Sequence, residues 1–325
     1  MMISKKIIAL GSAMAAAVPM ALSSNVAIAA YPEKPIKLVI PYRAGGGSDS
    51  LARTIQAAIE KHKIMAVKLV VTNITGAGGA VGIRSVKDAK PDGYTFLQVH
   101  NGFLAFAATG RVNFGPSAFT PVAQTTQSCL YLAVAGSTPF KSFDDVVKAA
   151  KAAPGKLKAS DSIGGVSHFP WVMLMNATGM KVGIVQAGGT SKRFAAMKGG
   201  HTQMAFMSPG WIKRGGDALR GVLWLGPTRH PAAPNMPTAI EKGFNINACL
   251  NRRFWAPKGT DAKRVAYFAG ILGKVMATDE LKAYHKKRLG FIRLLTGAKL
   301  KADIEAEYKT FQKVAPTVKA SMKKK

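Results

Sequence analysis

Ile36-Lys37-Leu38-Val39-Ile40-Pro41-Tyr42-Arg43-Ala44-Gly45-Gly46-Gly47-Ser48-Asp49-Ser50-Leu51-Ala52-Arg53-Thr54-Ile55-Gln56-Ala57-Ala58-Ile59 joins an apolar run to an amphipathic one through a glycine-rich turn. Ile36, Leu38, Val39 and Ile40 read as a buried strand, whereas Leu51, Ile55, Ala58 and Ile59 recur at helical spacing, so Pro41 to Asp49 must connect them. Glycine lets the backbone approach a ligand closely. The unsatisfied N–H groups of a first helical turn also lie along a dipole that favours negative charge. A carboxylate satisfies both, so the turn reads as an anion pocket.

The same grammar continues outward. Lys68 to Val71 reads as a strand leading into the glycine-rich stretch Asn73 to Gly82 and a helix through Val86. Pro91-Asp92-Gly93 is a turn signal before a strand at Tyr94 to Val99. Leu130 to Ala135 reads as a crossover strand into a second lobe. There Ser142 and Asp145 form a capping-box pattern, and Pro154-Gly155 stops the helix. Two further strand, glycine-turn, helix units follow, at Lys156 to His168 and at Val182 to Gly200. The chain returns near Phe254-Trp255-Ala256-Pro257, and helical patterns then cover Ala262 to Met276, Leu281 to Leu289 and Ala302 to Val314. This alternation predicts an α/β fold in which glycine turns of two lobes, beyond the carboxyl ends of their strands, face one cleft.

The bulk properties agree with a folded, exported chain. Lys5 and Lys6, the apolar stretch Ile7 to Leu22 and the small-x-small site Ala27-Ile28-Ala29 fit a secretory signal spanning residues 1–29. The competing reading is an uncleaved anchor, against which stand Pro19 and a stretch short for a bilayer. About 295 residues would remain, enough for two domains. The formal charge of +30 draws anions and also promotes non-specific contact with nucleic acid or anionic lipid, so it does not by itself define a task. Cys129 and Cys249 allow a single intramolecular disulfide, though two buried free thiols would leave the same sequence.

Taken in order, these segments resemble the periplasmic solute-binding proteins of tripartite tricarboxylate transporters, the Bug or TctC family. The resemblance runs from Tyr31-Pro32-Glu33-Lys34-Pro35-Ile36 and the Pro41 to Asp49 turn through Gly76-Ala77-Gly78-Gly79, Pro91-Asp92-Gly93-Tyr94-Thr95 and Pro154-Gly155-Lys156-Leu157. It ends with Met236-Pro237-Thr238-Ala239-Ile240-Glu241-Lys242-Gly243-Phe244 and Ala256-Pro257-Lys258-Gly259-Thr260. It implies a two-lobed periplasmic-binding-protein fold of the venus-flytrap, type II-like kind, with two crossover segments. Lobe 1 would comprise residues 30–129 plus 252–325, and lobe 2 residues 130–251. It also implies a monomeric periplasmic receptor that presents a small organic acid to a membrane permease. No cofactor, metal or catalytic activity is implied.

Family position and residue chemistry together nominate the ligand contacts. In the first turn these are Tyr42, Arg43, Ala44, Gly45 and Gly46, with Ser48 and Asp49, either of which could instead cap the helix. Arg43 is a bidentate donor suited to carboxylate or phosphate, at a place where the family usually has a neutral residue. His100 and Asn101 follow a strand and could form the far wall of the cleft. The second lobe offers Gly164, Gly165, Ser167 and His168, then Gln186, Gly188, Gly189 and Thr190, and finally Ser208. Ser167 reads as a helix N-cap. Val185-Gln186-Ala187 replaces the family's usual Pro-Tyr-Lys, and Gln203 stands where an acid often follows the paired glycines. The ligand is therefore open to differ from typical ones.

Other chemistries fit less well. Ser167-His168 lacks a nucleophile elbow, Gly76 to Gly82 has Val81 where a dinucleotide fingerprint needs its third glycine, and the six histidines show no ligand spacing. The alternative to a solute receptor is a basic exported protein that binds nucleic acid or an anionic polymer. It rests on charge alone, because the lysines lack the aromatic interleaving that stacks on bases.

Overall fold

The protein is described by a computed structural model covering residues 31–323; the expected export signal lies outside the described residues. β1 (Ile36–Ile40) buries all its residues but Lys37. α1 (Gly47–Lys61) turns Leu51, Ile55, Ala58 and Ile59 inward, the four positions that set the helical spacing. The chain continues through β2 (Leu69–Asn73), α2 (Ala80–Lys87), β3 (Thr95–His100), α3 (Gly102–Thr109) and β4 (Phe119–Cys129). Then come β5 (Tyr131–Ala135), α4 (Phe143–Ala152), β6 (Lys158–Asp161), α5 (His168–Thr178) and β7 (Gly183–Gln186). Next are α6 (Thr190–Lys198), β8 (Met204–Met207), α7 (Trp211–Arg214), β9 (Leu219–Trp224) and β10 (Cys249–Pro257). α8 (Ala262–Met276), α9 (Asp279–Arg288), β11 (Phe291–Leu295) and α10 (Gly297–Lys323) complete it.

These strands form two sheets, each the centre of an α/β lobe. The first is six-stranded, in the order β11-β4-β10-β3-β1-β2, with β1 parallel to β2 and β3 and with β10 antiparallel to β3 and β4. The second is five-stranded, in the order β7-β6-β8-β5-β9, with β6 parallel to β7 and β8 and with β5 antiparallel to β8 and β9. Phe103, Phe119 and Trp255 pack edge-to-face in the first core. Trp171 against Phe206 anchors the second.

The chain changes sheets twice, from β4 to β5 through Leu130 and from β9 to β10 through residues 225–248. Cys129 and Cys249 face each other in the β4–β10 ladder and are joined by a disulfide, so both crossings are fastened at one point. Leu130 N–H donates to the Ala248 carbonyl beside it (2.9 Å). The chain thus rejoins the first sheet at Cys249, earlier than the aromatic run at Phe254 suggested.

Three local readings change. The Ser142–Asp145 capping box is present, but α1 begins on Gly46 with no side-chain cap, so Ser48 and Asp49 sit inside the helix. Ser167 does not cap α5, because its hydroxyl donates to the Asp161 carboxylate instead. The last helix is longer at both ends than its apolar periodicity indicated. Arg253 pairs with Asp303 (2.7 Å) and Glu307 (2.5 Å) in its first half, while Phe311 packs on Phe169 of α5 (4.7 Å) in its second. α10 therefore contacts both lobes.

The disulfide spans a sequence separation of 120 residues. Removing it as Cys129→Ser with Cys249→Ser is expected to lower stability by about 2–4 kcal/mol, by freeing the unfolded chain. Urea denaturation of the two proteins measures this, and coincident curves would show that the β4–β10 ladder holds the crossings alone.

Candidate functional site

Two adjacent arginines in β10 define the site, because a strand sends successive side chains to opposite faces. Arg253 points to α10, where it finds its two carboxylates and the Gln124 amide oxygen (3.0 Å). Arg252 points the other way, towards α1 and α9, and forms no ion pair among the described residues. The strand is unbroken there, since the extra residue at the register shift between Arg252 and Arg253 lies on β4. The shift re-aims Thr126, opposite Arg252, and bulges of this kind are common beside functional sites.

Arg252 borders a cavity of about 400 Å³ between the lobes. One side is made by Ser50 of α1, Thr126 and Ser128 of β4, and Tyr284 and Arg288 of α9; the other by Ser208, Trp211 and Arg214 of the second lobe. Lys287 also borders it, and none of its lining residues is acidic. Several enclosed polar atoms there have no partner: Arg252 Nε, Thr126 Oγ1 and His285 Nε2, with Tyr42 Oη nearby. Buried polar groups are nearly always satisfied, so a cluster of orphans around one cavity makes it the candidate site for a polar solute.

The first turn builds the adjoining wall. Gly45 adopts a left-handed φ of +76°, which bends the chain so that its N–H reaches the Asp49 carboxylate (2.8 Å). Asn73 Nδ2 (2.9 Å) and Arg53 Nε (3.1 Å) bond to the same carboxylate. Burial alone would raise the Asp49 carboxyl, but these three donors outweigh it and hold it below its ordinary pKa. Asp49 is thus a brace within the first turn of α1, its charge already matched by these donors. A Cβ on Gly47 would stand 3.1 Å from an Arg252 terminal nitrogen, so glycine is what lets the guanidinium lie against the first helical turn. The Tyr284 hydroxyl donates to the Gly47 carbonyl (3.2 Å) and Arg288 donates to Ser50 Oγ (2.9 Å), fastening α9 to that turn.

Electrostatics around Arg252 follow from burial. Desolvation lowers the Arg252 pKa, with Tyr284 and Tyr42 opposing and Arg288 adding to the shift, yet a guanidinium stays charged at neutral pH. His100 is pushed down to about 3 by burial and then by Arg252, and His285 to about 4 by burial, Arg252 and Arg288. Both are neutral. Burial likewise raises the Tyr42 hydroxyl, leaving it a donor. Tyr42 stacks on His100 (centroids 4.9 Å apart, planes 4° apart), and His100 Nδ1 accepts the Gly102 N–H (2.9 Å).

The nominated residues fall into distinct places. Tyr42 and His100 stand beside Arg252, whose guanidinium lies against Gly47, just after the nominated Gly45 and Gly46, and Ser208 lines the cavity from the second lobe. Arg43 and Ala44 are exposed, and the Arg43 carbonyl accepts the Gly46 N–H (3.3 Å). Ser48 is buried in α1. Asn101 belongs to the hinge, where its amide donates to the Cys249 carbonyl (2.8 Å) and to Glu307 (2.5 Å).

The second-lobe turns are largely committed to one another. His168 Nδ1 accepts the Gly164 N–H (2.8 Å) and its Nε2 meets Ser321 of α10 (3.2 Å), while Gly165 N–H closes on the Ser162 carbonyl. Gln186 Oε1 accepts the Ile163 N–H (2.8 Å), splinting one turn to the next. Arg193 holds the Gly188 carbonyl (2.8 Å), Ser167 Oγ (2.7 Å) and Asp161 (3.1 Å). Gly189 caps α6, which Thr190 opens. Arg252, Thr126, Tyr284, Arg288 and Trp211 were missed from the sequence. The available signal was the charged pair Arg252-Arg253 inside a strand that is apolar apart from them and Asn251, where a single solvated arginine would be ordinary and two on opposite faces are not.

The family model described as tripartite tricarboxylate transporter family receptor matches residues 51–285. A curated Cupriavidus necator relative, a UPF0065 protein encoded in the gbd 5' region, is 30% identical over 252 residues, covering 76% of each chain. Among solved structures, Rpa4515 of R. palustris with adipate superposes with a TM-score of 0.77 at 23% identity, over 89% of this chain and 98% of that one. MatC from Rhodopseudomonas palustris with bound malate gives 0.71 at 22% identity, over 89% and 99%. Both share this fold.

The buried histidines set a stability profile: His168 and His230 are lowered by burial as well, but His285 and His100 are displaced furthest. An unfolded histidine binds its proton near pH ~6.5, and the native one refuses it down to about 4 at His285 and about 3 at His100. The unfolded state binds more protons in that window, so stability rises with pH from about 4 to ~6.5 and then levels. Glu280, held at about 2 by Lys61 and His62, acts at lower pH. Thermal unfolding across this window should show a shallower slope for His285→Gln than for the parent, and equal slopes would mean that His285 takes up its proton in the fold.

Proposed function

The chain belongs to the tripartite tricarboxylate transporter receptor family, whose members are substrate-binding receptors rather than enzymes, and we propose that it is an exported receptor capturing a small organic acid between its lobes for a membrane permease. The observation that carries this reading is the unpaired Arg252 guanidinium, laid against the first turn of α1 at the edge of an acid-free cavity. Charge-assisted bonds from a guanidinium to a carboxylate are bidentate and among the strongest available to a protein. The organic acids held by the two structural relatives, adipate and malate, support the same class of solute.

In this reading the carboxylate lies between Arg252 and the α1 turn, with the Tyr42 hydroxyl and Thr126 as further donors. Ser208 approaches from the opposite lobe. Residues 31–129 plus 249–323 would form one jaw and 130–248 the other, with the fastened crossings at Cys129 and Cys249 as the pivot. Closure about such a pivot buries the acid and expels water, which strengthens each electrostatic contact. The rigid second-lobe turns supply the shape of the closing wall. The signal at residues 1–29 would deliver the chain to the periplasm, where a monomer suffices for capture.

Isothermal titration of solute-free protein with adipate, malate and a wider set of mono-, di- and tricarboxylates tests the proposal. Arg252→Gln is expected to weaken the best acid by about tenfold or more, roughly 1.4 kcal/mol or above, and Arg252→Lys to restore part of it as a point charge without the fork. Silence across the whole set, or an Arg252→Gln protein that binds as well as its parent, would count against it.

A further inference from the structure

The cavity holds more positive charge than one carboxylate can match. Arg252, Arg214, Lys287 and Arg288 border it, they come from three separate elements, and no acidic side chain does. A carboxylate carries a single negative charge, which one guanidinium fork matches even though its oxygens can accept further bonds. With Arg252 given to the carboxylate, Arg214, Lys287 and Arg288 leave positive charge for a second group that carries more than one negative charge.

Two of the arginines are also held in place. Arg214 lies over the Trp211 ring, 4.6 Å from its centroid, and Arg288 over the Tyr284 ring at 4.8 Å. Arg288 bonds Ser50 Oγ as well. A stacked guanidinium keeps its in-plane N–H groups free and loses less freedom on binding. Arg214 belongs to the second lobe and Arg288 to α9 beside the first, so an anion between them would bridge the jaws.

We propose that the solute of this receptor carries, besides its carboxylate, a doubly ionised tetrahedral oxyanion of the phosphonate or phosphate kind, seated against Arg288 and Arg214. The inference rests on the receptor reading and narrows it. Arg252 takes the carboxylate, as in that reading, and the outer pair sets the preference for the second group. The chain's formal charge of +30 suits such a ligand, since its capture rate grows with the product of the two charges.

Titration of solute-free protein with succinate, phosphonopropanoate, sulfopropanoate and inorganic phosphate is the test. The four probes separate charge, shape and the need for a carboxylate. Phosphonopropanoate is expected to bind at least about tenfold more tightly than succinate, with sulfopropanoate, tetrahedral but singly charged at that end, falling below it. Its affinity should rise between about pH 6 and about pH 8 as the second phosphonate proton leaves, by analogy with the second phosphate ionisation near pH ~6. Arg288→Gln and Arg214→Gln, both at exposed positions, should each cost the phosphonate more than they cost succinate. Succinate binding as tightly as the phosphonate would overturn the inference and leave the receptor reading standing. Inorganic phosphate binding as tightly as phosphonopropanoate would overturn it too, by showing a site for the bare ion. No binding by any of the four, together with silence in the carboxylate set, would remove the receptor reading itself.

Discussion

A guanidinium without a carboxylate, enclosed at the end of a helix, is the constraint on which the rest of the site depends. Isolated charge leaves water at high cost, and proteins normally answer it with a partner. Arg253 shows that answer one residue away, with Asp303 and Glu307 brought to it by α10. At Arg252 no carboxylate answers the charge: Tyr284 and Tyr42 favour it, while Arg288 adds a further positive charge. In the proposed receptor an anion would relieve this arrangement and so add to the stability of the protein that holds it. Asp49 sharpens the contrast. The one carboxylate in the turn is occupied by Gly45, Asn73 and Arg53, and its charge does not compete for the cavity.

The frame that presents this cation is built by the crossings. β4 and β10 carry Thr126 and Arg252 on the cavity side, and the same strands end at Cys129 and Cys249, where the chain passes between sheets. Thr126 and Arg252 therefore stand within a few residues of the crossings, where, under the proposed closure, movement of one lobe would displace them least. Trp211 and Arg214, on the second lobe, would travel further. α10 adds a second connection, anchored on Arg253 in the first lobe and packed through Phe311 on Phe169 in the second. Pro316 lies in its packed half, where a missing N–H eases bending.

Much of the fold was legible because it rests on periodicity. The strand at Ile36 to Ile40, the helix from Leu51 to Ile59 and the Ser142–Asp145 box are local patterns whose physical causes lie within a few residues. The site was less legible because its decisive feature is a non-local absence. Arg252 and Arg253 are the same residue on adjacent positions, and only the packing of α10 against one strand face tells them apart. Likewise Ser167 has the residue type of an N-cap, but Asp161 and Arg193 recruit its hydroxyl from across the turn. Glycine turns identify where a ligand can approach; which side chains meet it depends on elements far away in the chain, here β10 and α9.

The sequence departures in the second lobe gain a physical meaning from this geometry. The family resemblance implied a tyrosine and a lysine where the chain has Gln186 and its neighbours, and Gln186 spends its amide oxygen on the Ile163 backbone. A cation lost from that turn would have faced the solute from the moving jaw. The positive charge is supplied instead by Arg252 near the pivot, with Arg288 on the same jaw and Arg214 opposite. Under the proposed reading, Arg252 beside the crossings would keep its position relative to the first turn of α1 whether the jaws were open or shut. A first encounter with an anion would then need no closure, and closure would add the contribution of Arg214 afterwards. Capture and retention would fall to different residues, leaving the second lobe's turns to shape and stiffness while charge recognition sits on the first.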